Sequence, residues 1–192
     1  MISKDNYEKL LKKFGKVSSW AIWAEQGDKP KSNTGDMSVF ENADLLNILN
    51  PNYVFVGLNP STQSFNKAWA SFHSTCSYQN DYKLRYALKN TKYWGAYITD
   101  IIKSRIDAKS ENINKYLKDN PDALNEYVSK LEGEIAILGT SPILIAMGNK
   151  AYKILSRTHL KDKYTIVKIK HYSMYIGQDN YRKEVLSVLN NI

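Results

Sequence analysis

The run Tyr53-Val54-Phe55-Val56 ends directly on Gly57-Leu58-Asn59-Pro60-Ser61, and this junction limits the fold more than any other stretch of the chain. β-Branched and aromatic residues without polar alternation suit a strand buried on both faces, as in a parallel sheet covered by helices. The five residues that follow read as a turn. Glycine lets a neighbouring group come close, proline stiffens the backbone, and the asparagine amide stands at the mouth. A phosphate-binding P-loop is excluded, because no Gly-Lys-Ser/Thr follows.

Further strands and helices alternate along the chain. Gly95 to Thr99, Pro142 to Met147 and Tyr164 to Lys170 read as strands, and Ser19 to Trp23 as a short one. Helical spacing is clear in Tyr7, Leu10, Leu11 and Phe14, in Asp81 to Asn90, and in the long apolar face from Leu124 to Leu138. Asn120-Pro121 opens that long helix with proline at its first position. Ala43 to Leu49 predicts a short helix, Gly148-Asn149 opens another, and Tyr181, Val185, Val188 and Leu189 mark a closing one. This alternation predicts an α/β fold: a three-layer α/β/α sandwich with a central, mainly parallel sheet of about four strands. In such sheets ligands sit beyond the carboxyl ends of the strands. Here those ends carry Asn59, Asp100 and His171.

The 192 residues suit one domain, with residues 1–50 as an N-terminal helix-and-loop extension packed on it. A single cysteine, Cys76, excludes an internal disulfide and a four-cysteine metal or iron–sulfur site. No stretch approaches the roughly 20 apolar residues of a membrane helix, so a cytoplasmic protein without membrane contact is expected. The net charge of +8 is unevenly spread. Residues 143–192 hold nine Lys/Arg against three acids, and residues 81–105 six against two, whereas residues 106–142 hold four against seven. Two basic segments around an acidic one favour a polyanionic partner. Fourteen tyrosines would suit base stacking, though tyrosine is equally a core filler.

Four landmarks in order resemble the uracil-DNA glycosylase superfamily. Gly57-Leu58-Asn59-Pro60 is similar to the first motif of its mismatch-type uracil/thymine enzymes. Tyr97-Ile98-Thr99-Asp100 resembles the strand whose last residue reads the base. Ile145-Ala146-Met147-Gly148-Asn149 resembles the strand–glycine–helix unit before the second motif. His171-Tyr172-Ser173-Met174-Tyr175 resembles that second motif, His-Pro-Ser-x-Leu.

By position, the resemblance implies catalytic roles for two residues. Asn59 would orient a water toward the anomeric carbon, and His171 would stabilise the charge on the departing base. Gly57 and Leu58 would border the base, Phe72 would stack on it, and His73 would line the pocket. Ser61 and Ser173 would hold phosphates, with Lys103, Lys150 and Lys170 as neighbouring basic contacts. Tyr175 stands where a leucine fills the gap left by the flipped base. Tyr172 in place of proline predicts a less rigid loop after His171.

Asp100 departs most informatively, standing where the family has a base-reading asparagine. An ionised carboxylate only accepts hydrogen bonds and would repel uracil O4, whereas cytosine offers an amine there. A cytosine-type or modified base therefore fits an ionised Asp100 better than uracil does. The alternative is a structural Asp100 that caps a helix or pairs with Lys103 or Arg105.

Two function classes follow. One is a glycosylase-like enzyme that hydrolyses the N-glycosidic bond of a flipped base in DNA, single-stranded DNA included. The other is a non-catalytic nucleic-acid or nucleotide-binding protein with the same fold. Neither needs a metal or an organic cofactor. His73 and Cys76, three residues apart and without carboxylate partners, make a poor metal pair; a buried thiol and a hydrogen-bonded histidine are the better reading. His159 reads as a solvated surface histidine, and the Trp20/Trp23 pair as core packing.

Overall fold

A computed structural model describes residues 1–61, 67–76, 78–107 and 109–192. Its elements run in the order α1 (Lys4–Phe14), β1 (Ser19–Trp20), α2 (Leu45–Ile48), β2 (Asn50–Gly57), α3 (Asp81–Leu88), β3 (Ala96–Asp100), α4 (Ser110–Asp119), α5 (Pro121–Ala136), β4 (Ile143–Met147), α6 (Asn149–Leu155), α7 (Leu160–Lys163), β5 (Ile166–Ile169) and α8 (Gln178–Leu189). A 3₁₀ turn, Met37–Glu41, precedes α2.

Five strands form one sheet in the order β1-β3-β2-β4-β5. The β3–β2, β2–β4 and β4–β5 pairings are parallel, and only the two-residue edge strand β1 runs antiparallel. β2 is longer than its apolar run, because Asn50 pairs with Ala96 across an irregularity before regular pairing resumes at Val54.

Side-chain alternation divides the core between the two faces of the sheet. Val54, Val56, Tyr97, Leu144 and Ala146 meet Leu10 of α1, Val128, Leu131 and Ile135 of α5, and Ala151 and Leu155 of α6. Phe55, Ile98, Ile145, Met147 and Ile169 point the other way. They pack on Leu84, Ala87 and Leu88 of α3 and on Tyr181, Val185 and Leu189 of α8. The three-layer α/β/α arrangement expected from the alternation is the one observed. Among the described residues no helix is long and apolar enough to cross a membrane.

Residues 1–42 are built into the sheet and core. Trp20 of β1 is completely buried, with its ring 4.9 Å from that of Tyr97 on β3. The buried Arg85 of α3 reaches back to the carbonyls of Ala24, Pro30 and Ser32, at 3.2, 2.7 and 2.8 Å, and so pins the polar loop after β1. α4 and α7 are elements that sequence spacing does not announce. α4 buries Ile113 but carries four charged side chains, and α7 is a single turn.

Candidate active site at the strand ends

The carboxyl ends of the four parallel strands form a row. Asp100 closes β3, Gly57 closes β2, Met147 and Gly148 close β4, and His171 lies two residues beyond β5. At about 4.8 Å per strand, the row from Asp100 to His171 spans roughly 14 Å. Contacts link its members. An ideal Cβ on Gly57 would lie 2.1 Å from Asp100 Oδ1 and 3.6 Å from Met147 Cε. One on Gly148 would lie 3.3 Å from His171 Cβ, and Gly148 has a φ of +93°, a conformation glycine adopts without strain. Both glycines therefore leave space that the side chains of Asp100 and His171 occupy.

Asn59 is half-buried in the turn after β2. Its Nδ2 donates to the carbonyls of Pro60 (2.9 Å), Asp107 (2.8 Å) and Arg105 (3.3 Å). Backbone bonds from Ile101 N to Gly57 O, Ile102 N to Leu58 O and Asp107 N to Pro60 O zip the same two loops together. With the donors spent on carbonyls, the side chain is orientated by its nitrogen. Its Oδ1 accepts no hydrogen bond from any described residue and is left as an acceptor.

His171 is orientated from the other side. Ser173 N–H points at its Nδ1 at 3.1 Å, and Ser173 Oγ lies 2.7 Å from the same atom. A ring nitrogen that accepts from N–H carries no proton, so the proton sits on Nε2. Loss of solvent pulls the imidazole pKa down to about 4, so the ring is a neutral Nε2–H donor at neutral pH. The Tyr172 ring stacks on it with centroids 4.4 Å apart.

The loop that carries His171 is tied at several points, and one tie, from the Tyr172 phenol, is a bond that proline could not make. Buried Lys83 of α3 donates to Met174 O at 3.0 Å, and Met174 N and Ile176 N close local turns. The Tyr172 phenol reaches the Asp81 carboxyl. Tyr175, at the tip, is fully exposed. Ser61 and Ser173 are also exposed near the row.

Asp100 is 5 % exposed, and its carboxyl makes no hydrogen bond to the described residues. Burial raises its pKa to about 7; Lys103 opposes that shift, and Glu134 and Asp81 add to it. It caps no helix and makes no direct ion pair with Lys103 or Arg105. Lys103 Nζ lies 2.6 Å from Glu134 Oε2 and 2.5 Å from the backbone oxygen of Asp100, and Arg105 stacks over Tyr116. Glu134 Oε1 also accepts from Tyr97 and Thr99, which completes a network behind the sheet.

This placement corrects one expectation. Lys103 is turned inward to a completely buried glutamate, so it is part of the core and not of a phosphate-contacting surface. Lys150 and Lys170 do lie at the surface, in ion pairs with Glu111 (3.0 Å) and Glu184 (2.5 Å). Exposed pairs of that kind are weak enough to exchange for phosphate.

His73 is also set apart from the row. It is buried, with Nε2 2.9 Å from Ser19 Oγ and its ring against Trp23 and Phe40, and its pKa falls to about 3 on desolvation. It is the hydrogen-bonded core histidine expected from the sequence and not a pocket wall, whereas Cys76, expected as a buried thiol, is exposed. Phe72 beside it is half-buried and packs into the core on the Asp100 face of the sheet, together with Tyr172.

The segment around Phe72 is held in an uncommon backbone shape, with Trp69 at φ +62° and Phe72 at φ +65°. The clamp comes from the N-terminal elements. Trp69 N donates to Gly15 O (2.6 Å), Ser19 Oγ to Trp69 O (2.6 Å), Trp69 Nε1 to Tyr7 (2.9 Å) and Trp23 Nε1 to Phe72 O (3.1 Å). These anchors escape a motif reading because their partners lie about fifty residues away.

Asp81 escapes it too. It begins α3, is 5 % exposed, accepts from Ser74 N at 2.8 Å, and is raised to a pKa of about 6 chiefly by burial. Its one sequence sign is an acid at a helix start, where a capping role suffices. A cavity of about 500 Å³ lined by Tyr152, Lys161, Lys163 and Tyr164 lies at the amino end of β5, away from this row.

The α/β/α domain thus carries a polar row along its parallel strand ends, a preset histidine donor and an exposed aromatic tip. The family model of the uracil DNA glycosylase superfamily matches residues 43–190. The chain belongs to that superfamily, and with it to the DNA-binding, glycosylase-like proteins. No curated protein and no solved structure matches the chain.

Proposed function

We propose that the protein is a DNA glycosylase that flips one base into the strand-end row and hydrolyses its N-glycosidic bond, the base being uracil or a cytosine-type pyrimidine. The observation that carries this reading is the complementary presetting of Asn59 and His171. Asn59 offers a bare oxygen acceptor on one side of the row, and His171 a fixed Nε2–H donor on the other.

In the reaction a water hydrogen-bonded to Asn59 Oδ1 presents its lone pair to the anomeric carbon. The carbon–oxygen bond forms as the bond to the base nitrogen breaks, and the bonding electrons leave with the base. Nε2–H of His171 stabilises the resulting anion, and the attacking water loses its surplus proton to solvent. Asn59 cannot take a proton itself, so the catalysis is positional and electrostatic, and slower turnover than with a carboxylate at that position is expected. Phe72 supplies the stacking face, Asp100 the hydrogen bonds to the base edge, and Tyr175 fills the gap in the DNA. Ser61, Ser173, Lys150 and Lys170 contact phosphates.

The test is abasic-site formation. Oligonucleotides carrying uracil, a G·T mismatch, cytosine or a modified cytosine are incubated with the protein and cleaved with alkali. Product with the wild type, abolished in folded Asn59→Ala and His171→Ala, supports the enzyme. Salt-sensitive binding without product on any substrate indicates a binding protein of the same fold.

A further inference from the structure

We propose that Asp100 reads the base edge as a neutral acid, with its proton on whichever oxygen the base requires, so that one pocket takes both the 4-oxo edge of uracil and the 4-amino edge of cytosine and releases both when the proton is lost. This rests on the reading of the strand-end row as a base site.

The geometry favours the protonated form. Asp100 is nineteen-twentieths buried as a residue, and its carboxyl packs on the bare face of Gly57. The nearest cation, Lys103, spends its ammonium on Glu134 and on the backbone carbonyl of Asp100. Among the described residues, the other ionisable groups that act on the carboxyl are two acids and a phenol, and the buried Lys83 of α3 is bonded to Met174 O. α5 brings Glu134, the head of α3 brings Asp81, and the loop after β5 brings Tyr172. β2 and β4 bring Gly57 and Met147. Burial and the two carboxylates place the transition of Asp100 near neutrality, at about 7. His171 stays neutral throughout that range.

A neutral carboxyl has one donor and one acceptor side by side. Against uracil, O–H donates to O4 and C=O accepts from N3–H. Against cytosine, C=O accepts from the 4-amino group and O–H donates to N3. The two patterns differ only in which oxygen holds the proton. No hydrogen bond from the described residues fixes that choice, as a tethered amide would. The ionised group has two acceptors, and it sets a lone pair against O4 of uracil or N3 of cytosine. The preference for cytosine expected of an ionised Asp100 therefore gives way to acceptance of both bases.

The experiment separates this from the glycosylase reading, because its readouts do not require turnover. Single-stranded oligonucleotides carrying 2′-fluoro-deoxyuridine or 2′-fluoro-deoxycytidine, which resist hydrolysis, are compared with the same strand carrying a tetrahydrofuran abasic analogue. Affinities are measured from about pH 5.5 to about pH 8.5. Both bases are expected to bind better than the analogue at the acid end. That advantage falls by about tenfold for each unit above the transition in the wild type, and stays level in Asp100→Asn. Asp81 still titrates in the Asn variant, so a level profile there excludes Asp81 as the source of the slope.

In parallel, ¹³C carboxyl shifts of the wild type follow Asp100 directly, whether or not the variant folds. A transition near neutrality is expected. A transition near pH 4, an advantage for one base only, or an advantage that does not change with pH would overturn the proposal. Base binding with the expected pH profile but without abasic product anywhere would leave it standing and remove the enzyme.

Discussion

The side chain that Gly57 lacks is replaced by the carboxyl of Asp100, whose Oδ1 lies 2.1 Å from where a Cβ on Gly57 would be. The two residues are register partners on adjacent strands, and Gly57 does not have a positive φ. Glycine is required there for space and not for backbone freedom. Gly57→Ala is therefore expected to cost about 2 kcal/mol in urea unfolding and to push the carboxyl off the row. In an Asp100→Ala background the same change is expected to cost little, a coupling of about 1 kcal/mol or more.

Asn59 faces three backbone carbonyls through its nitrogen. A carboxylate there would set lone pairs against lone pairs. Asn59→Asp is predicted to be less stable than Asn59→Ala, by about 1–2 kcal/mol, and to lose activity rather than gain it. Thermal unfolding and the alkali assay of both variants check this.

Buried His73 makes the fold sensitive to acid. Its folded pKa of about 3 lies below the unfolded value of 6.5, so from pH 6.5 downward the unfolded chain binds a proton that the folded one refuses. Stability falls as pH drops through that window, by roughly 2–3 kcal/mol between pH 6.5 and pH 4.5. Urea unfolding of His73→Gln, compared with wild type at both pH values, is expected to show most of that slope removed.

Asp100 acts in the opposite sense. Its folded pKa of about 7 exceeds the usual 3.8, so its stabilisation is complete at low pH and is lost as pH rises toward 7. Asp100→Asn is expected to raise the melting temperature above pH 7 and to change it little near pH 4, as calorimetry at the two pH values would show.

Tyr175 touches solvent on all sides. Tyr175→Ala should leave stability within about 0.5 kcal/mol. Its affinity for a single-stranded or base-flipped oligonucleotide should fall by about 1–3 kcal/mol if the ring stacks on a base. Fluorescence anisotropy at fixed salt measures that loss.

Residues 1–42 lie outside the matched family span, yet they supply β1 and the clamp on Trp69 and Phe72. A chain that begins at residue 43 is expected to be insoluble or unstructured by circular dichroism, because Trp20 and its partners on β3 would lose their packing.

Local chemistry made much of this legible from sequence. A continuous apolar run must be buried, a glycine-proline turn must end it, and strands that alternate with helices must pair in parallel, so the layers, the sheet and the strand-end row followed from residue order alone. α4 was hidden because four of its ten residues are charged and its apolar stripe is short, Ile113, Tyr116 and Leu117 over a single turn. Lys103 was misplaced because a lysine in a basic segment looks solvated until a buried glutamate from another helix claims it.

The fate of the titratable groups was left to tertiary structure. Sequence puts Asp100 at a strand end, and His73 beside an aromatic residue. Only the folded chain decides that one is enclosed with no hydrogen bond to its carboxyl among the described residues while the other is bonded to Ser19, and that His171 carries its proton on Nε2. Desolvation and hydrogen-bond geometry are set by atoms tens of residues away. They determine charge state, and charge state is what a base-reading pocket uses to choose its ligand.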